Sequence, residues 1–228
     1  MTVHDRVIAV VGASGGLGAP ISRLLLERGA HVVAAARDQP RLDAAGLGCP
    51  TVSLDLRDAR AGDALLSVVL DRFGRLDGVI NAAGIVAFGA LADTDDLAIE
   101  ELFLTNAIGP LWLLRRCLPH LVASQGFFVN ISAVVAEQPM AGMVVYSASK
   151  AALTAADGAL ARELRRSGVR VLDARPPHTE TGLAARPIAG TAPRIPPGLA
   201  PDQVASVIVD ALDADEWVTQ LPSTAFSS

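Results

Sequence analysis

The chain has 228 residues, 51% of them apolar and 19% charged, with 20 glycines, 14 prolines and a formal net charge of −5. That length and apolar content predict one globular domain over 1–228 and exclude a disordered or fibrous protein. The acidic balance offers no basic face to nucleic acid or an anionic membrane. The run VIAVV near the start is too short for a signal peptide, and no other apolar segment of spanning length is free of charge or proline, so a cytoplasmic location is expected.

In chain order, RVIAVVG (6–12) reads as a buried strand and PISRLLLERG (20–29) as a helix stopped by Gly29. HVVAAAR (31–37) and TVSLDL (51–56) read as the second and third strands, followed by a helix over about 58–73. LDGVINAAG (76–84) is the fourth strand, two helices fill 93–123, and GFFVNIS (126–132) is the fifth. A long helix covers 144–168, VRVLDARPP (169–177) is the sixth strand, and a Pro-rich segment precedes a helix over 201–212 and a short last strand, EWVTQL. Strands apolar on both faces and separated by helices imply a parallel sheet covered on both sides. The fold class is therefore α/β, a doubly wound, Rossmann-like sheet of about seven strands whose ligands sit beyond the strands' carboxyl ends.

Residue usage narrows the candidates. Of 19 basic residues only Lys150 is lysine, Tyr146 is the single tyrosine, and Asn81, Asn106 and Asn130 are the only asparagines. A bias toward GC-rich codons thins these three residue types, so the survivors are candidates for chemistry. Cys49 and Cys117 have no metal-ligand spacing and read as buried apolar thiols; no metal site is expected.

GASGGLG (12–18) follows the first strand and opens a helix. Gly12, Gly16 and Gly18 let the backbone turn tightly and leave helix N–H groups for a diphosphate. Together with NAAG (81–84), YSASK (146–150) and PPHTET (176–181), in that order, the chain resembles the short-chain dehydrogenases/reductases over nearly its whole length. The resemblance implies a nicotinamide cofactor, hydride transfer to a carbonyl or from an alcohol of a small molecule, and a homodimer or homotetramer. It also implies cofactor contacts from Ser14, Leu17, Asp55, Leu56, Asn81, Ala82, Ala83, Gly84, Pro176, Thr179 and Thr181. Pro177 stands where the family has glycine, and 182–200 corresponds to a mobile substrate lid.

The chemistry of Tyr146 and Lys150 agrees with that resemblance. Reduction of a carbonyl by hydride needs a proton donor, and a free phenol with a pKa of about 10 is sluggish at neutral pH. At i and i+4 the ammonium shares a helix face with the phenol, where it can stabilise the phenolate and reach the cofactor's ribose. The resemblance makes Asn106 a relay residue whose backbone carbonyl holds a water, which requires a disturbed helix; Gly109 and Pro110 supply the disturbance.

The family's catalytic serine falls at Ala133. Ser132 stands one residue earlier and would face the other way in a regular strand, serving only if the strand ends or bulges there. At the end of the second strand Ala36 takes the family's acidic position and Arg37 follows, an arrangement that suits the 2′-phosphate of NADP(H), whereas Asp38 keeps NAD(H) open. Two functions follow. The first is an NADP(H)-dependent oxidoreductase with Tyr146, Lys150, Asn106 and, if oriented, Ser132; the alternative is a catalytically weak dinucleotide-binding sensor or scaffold, motivated by Ala133 and Pro177.

Overall fold

A computed structural model describes residues 2–226. Seven strands form one sheet in the order β3-β2-β1-β4-β5-β6-β7, every pair parallel. They are β1 (Val7–Val11), β2 (His31–Ala36), β3 (Thr51–Ser53), β4 (Gly78–Asn81), β5 (Phe127–Ile131), β6 (Arg170–Ala174) and β7 (Gln220–Leu221). Helices α1 (Gly18–Glu27), α2 (Gln39–Ala44), α3 (Ala61–Phe73), α4 (Asp96–Phe103), α5 (Gly109–Ser124), α6 (Val144–Glu163) and α7 (Pro201–Asp213) connect them. The expected α/β doubly wound sheet is thus present.

Alternate residues of the strands feed two cores, as side chains on opposite pleats must. Ile8, Val10, Ile80 and Val129 pack with Ile21, Leu25, Ile208 and Leu212 of α1 and α7. Val7, Ala9, Val79 and Phe128 pack with Leu65, Val69, Leu113 and Leu121 of α3 and α5. The strand order reverses between β1 and β4, so the crevice for a ligand opens where Gly12 and Asn81 end those strands.

The departures from expectation have local causes. The unexpected α2 is opened by Asp38, whose carboxylate accepts the Arg41 N–H at 3.1 Å, with Pro40 in the first turn. The strands β3 and β7 are shorter than TVSLDL and EWVTQL suggest. The two helices expected over 93–123 run as one from Asp96 to Ser124, joined by a π turn at Leu104–Ile108. This helix is long and apolar enough to cross a membrane, yet half of its apolar window is buried inside the fold. The π turn follows from the sequence: Pro110 has no N–H for the Asn106 carbonyl, and the Gly109 N–H reaches back to Leu104. Only glycine fits at 109, because a Cβ would overlap the Leu56 carbonyl.

Candidate active site

The glycine turn sits against the end of β4. Gly12 has φ +86°, and a Cβ there would lie 2.6 Å from the Ala83 nitrogen and 2.7 Å from the Ala82 carbonyl carbon. A side chain at Gly18 would strike the Gly12 carbonyl. No side chain caps α1, so its N-terminal N–H groups face the turn without a side-chain acceptor. Ser14 and Gly16 are half-buried along it, while Leu17 packs into the core beneath. Ala82 and Ala83 therefore meet Gly12 at the crevice, as a dinucleotide cradle requires.

The scarce residues converge at the carboxyl ends of β4 and β5. Asn81, Asn106, Asn130, Tyr146 and Lys150 are all buried. Asn106 ties the π turn to the segment after β4: its Oδ1 accepts the Ile85 N–H at 2.9 Å, and its Nδ2 donates to the Ile85 carbonyl at 2.9 Å and to Ser149 Oγ at 3.1 Å. Ser149 in turn donates to the Tyr146 carbonyl at 2.8 Å, joining the π turn to α6. Lys150 Nζ donates to the Ile131 carbonyl at 2.8 Å, and a Cβ on Gly84 would lie 3.3 Å from both Nζ and Asn106 Oδ1. Gly84 is thus the window through which the amine and the amide face the crevice.

Burial sets the ionisation of this pair. It pushes the Tyr146 phenol up to about 12 and the Lys150 amine down to about 8, because each charged form loses its water. The nearby carboxylates Asp173 and then Asp157 work the other way on Lys150. Burial is the cause that acts on the phenol and the amine's hydrogen bond goes to Ile131, so the expected acidification of the phenol by the amine is not seen in this closed arrangement. Tyr146 is accordingly a neutral phenol at neutral pH.

Ser132 requires a correction. The ladder stays regular beyond β5, with the Ser132 N–H on the Ala174 carbonyl at 2.8 Å and the Val134 N–H on Pro176 at 3.0 Å. Ala133 is extended at φ −177°, so no bulge re-aims the serine. Its hydroxyl donates to the Asp173 carboxylate, with the Ala174 carbonyl at 3.3 Å. Ala133 and Val134 instead pack in the apolar cluster that holds Tyr146. Residue 133, packed against that cluster, carries only a methyl group.

Arg37 is exposed just after Ala36, and Asp38 is committed to the cap of α2. Asp55 is held by Arg57, whose Nη2 lies 2.7 Å from Oδ2, and Arg57 also reaches Glu101 at 2.7 Å. The Arg57 hydrogen bonds hold the Asp55 carboxyl below its usual range, with Arg37 adding to the effect. The side chain of Leu56 is in the core, and its carbonyl packs against Gly109.

The segment after β6 covers the site. A Cβ on Gly16 would lie 2.5 Å from the Thr181 carbonyl oxygen, so Gly16 and Thr181 meet directly and a ligand seated between them must displace this segment. Thr179 bridges Leu199, and its hydroxyl donates to the Pro177 carbonyl at 2.9 Å. Further along, the Ile188 N–H donates to Val86 at 2.9 Å and the Phe88 N–H to Ala189 at 3.0 Å. Leu183, Ala184, Ala189, Ala192 and Ile195 thereby lie against Phe88, Val145 and Tyr146. The cavity left beside Tyr146, bounded by Phe88, Thr94 and Met143, is about 10 Å³, room for about one water.

Two buried acids near Lys150 escaped the sequence reading. Asp157 lies on the buried face of α6 and Asp173 in β6, each about 1% exposed. The signal was present in both cases: an acidic residue seven places after Lys150 on an apolar stripe, and one inside a strand otherwise apolar on both faces.

Comparison with known proteins agrees with this geometry. Residues 6–189 match the short chain dehydrogenase family. An uncharacterized oxidoreductase of Staphylococcus epidermidis is 33% identical over 186 residues, covering 79% of this chain and 81% of the relative. A short-chain dehydrogenase from Streptomyces avermitilis superimposes with a TM-score of 0.85 at 30% identity, over 97% of this chain and 90% of that one. A short chain dehydrogenase from Burkholderia cenocepacia in complex with NADP gives 0.85 at 26% identity, over 100% and 92%. The glycine turn at the β1/β4 crevice, the buried Tyr146 and Lys150, and these matches place the chain in the short-chain dehydrogenase/reductase family of oxidoreductases.

Proposed function

We propose that the chain is an NADP(H)-dependent reductase of small apolar carbonyl compounds, running in reverse on the corresponding alcohols. The observation that carries this reading is the burial of the only tyrosine and the only lysine one helical turn apart, with the amine beside Gly84 at the crevice. The bound nicotinamide would supply the hydride. Gly12, Ser14, Gly16, Leu17, Gly18 and Thr181 would hold its diphosphate and Asp55 and Leu56 its adenine end, with Asn81–Gly84, Pro176 and Thr179 lining the crevice.

Tyr146 would donate its proton to the oxygen left by hydride addition. Lys150 would hold the ribose, and the Asn106 carbonyl, denied a partner by Pro110, would seat a relay water. Residues 182–200 would act as a lid, opening to admit cofactor and substrate and closing to expel water. The lining around Tyr146 is Val86, Phe88, Val135, Val145, Leu183 and Ile195, which suits an aliphatic or alicyclic body with one polar group. Leu97, Leu111 and Val122 are exposed on the long α4–α5 helix, which suits a homodimer or homotetramer of a cytoplasmic protein.

The direct test is NADPH oxidation against a panel of aliphatic and alicyclic aldehydes and ketones. Turnover supports the reading, tight binding without turnover supports the sensor alternative, and absence of binding removes both. Cofactor choice has its own test. The Asp38 carboxylate is turned to the α2 cap, and Arg37 stands exposed beside it where it can meet a 2′-phosphate. Arg37→Ala is expected to raise the KM for NADPH about 10- to 100-fold, the worth of one charge-assisted contact, and to leave that for NADH nearly unchanged. An equal loss for both cofactors would count against the assignment.

A further inference from the structure

The buried face of α6 carries more polar groups than the proposed reaction uses. Ser147, Lys150, Thr154 and Asp157 recur at three- and four-residue spacing, so they stand in one row along the helix. Ser147 Oγ, Thr154 Oγ1 and Asp157 Oδ2 are buried with no hydrogen-bond partner among the described residues. Such atoms are uncommon in folded proteins and ask for a ligand. The other oxygen of Asp157 is fixed: Asn81 Nδ2 donates to Asn130 Oδ1 at 2.9 Å, and Asn130 Nδ2 donates to Asp157 Oδ1 at 2.6 Å. Lys150 is anchored on Ile131, the next residue along the same strand. The free carboxyl oxygen and the amine are thus both held at β5, with the Thr154 hydroxyl between them in the row.

We propose that Asp157 is a positioning residue that governs the charge of Lys150, through a proton that the acid and the amine share across buried water bridged by Thr154. At low pH the pair holds two protons; the first is lost as pH rises, leaving one shared between acid and amine, and the negative charge keeps it on the amine until the second step. Burial first, then Asp173, pushes Asp157 up to about 8, where the amine also titrates, so the two lose their protons as a coupled pair. The other charged groups that face Asp157 are Asp173 of β6 and Arg175, just after it. Arg175 is itself paired with Asp173 at 2.7 Å and with Glu137 at 3.2 Å and lowers Asp157. The hydrogen bond from Asn130 also favours the carboxylate, whereas the neutral phenol of Tyr146 adds no charge.

The single lysine makes this directly measurable. Protein grown with lysine carrying carbon-13 at Cε has one labelled site, Lys150. Its resonance is expected to move in two steps across neutral to alkaline pH in the wild-type protein. In Asp157→Asn, which keeps an acceptor for Asn130, one step should remain, shifted to lower pH by roughly half to one unit because the neighbouring negative charge is gone. Asp157→Thr serves as a second neutral variant should the first fold poorly. A single, ordinary lysine transition in the wild type, or an unmoved transition in the folded variants, overturns the proposal.

The catalytic consequence rests on the role proposed for Lys150 above, whereas the titration does not. If that role holds, the alkaline limb of the kcat profile moves down with the resonance. If the resonance moves and the limb does not, the coupling stands and the reading of Lys150 in catalysis fails.

Discussion

Tyr146→Phe is expected to bind NADPH as the wild-type protein does and to lose turnover by about 100- to 10,000-fold, the usual worth of a positioned proton donor. The phenol sits at 7% exposure in the apolar cluster beneath residues 183–195. Removal of one oxygen leaves the ring packing intact, so the fold should survive. KM for the cofactor should change little, because the contacts of the glycine turn and Gly84 are untouched. A tyrosine labelled at Cζ reports on the same group, since the chain has one. In the free protein that resonance is expected to stay in the phenol form through pH 10, given that burial lifts its pKa to about 12. A variant that keeps its turnover, or a phenolate signal near neutrality, would remove Tyr146 as the protonated donor.

The architecture was legible because burial on both faces leaves a plain mark. Runs such as VIAVV and GFFVNI have no polar alternation, and that forces a covered parallel sheet and places the site at the strand ends. The π turn could be anticipated from the missing N–H of Pro110, although not as one unbroken helix from Asp96 to Ser124. The helix α2 was missed because QPRLDA is too short for periodicity to show; only the Asp38 cap and Pro40 announced it. Within the site, the rarity of lysine, tyrosine and asparagine drew attention to residues that are all buried in the fold. Scarcity could not reveal Asp157 or Asp173, because acids are plentiful in this chain and only their position on buried faces distinguishes them. Closure of the 178–200 segment over Gly16 and Tyr146 was also out of reach, since it depends on backbone pairing with Val86 and Phe88 and not on any local signal.

The position after Ser132 offers the sharpest test of the geometry. Because the β5 ladder continues without a bulge to Val134, side chains 132 and 133 leave opposite faces, and Ala133 is the one packed in the cluster with Tyr146. A serine there can take the same extended backbone, φ −177°, without strain. Ala133→Ser is therefore expected to add a hydroxyl donor to the substrate oxygen and to raise kcat about 10- to 100-fold, part of the 100- to 1,000-fold that loss of such a donor costs elsewhere. Burying the hydroxyl among apolar side chains should cost about 1–3 kcal/mol of stability when no substrate oxygen is present. Ser132→Ala should do the reverse: turnover within about twofold of wild type, with stability lower by about 1–3 kcal/mol because Asp173 loses a buried donor. An unchanged kcat in a folded Ala133→Ser protein would mean that the substrate oxygen does not lie against residue 133. A large loss of turnover in Ser132→Ala at unchanged stability would return Ser132 to the catalytic set, and the regular strand would then have to rearrange on binding.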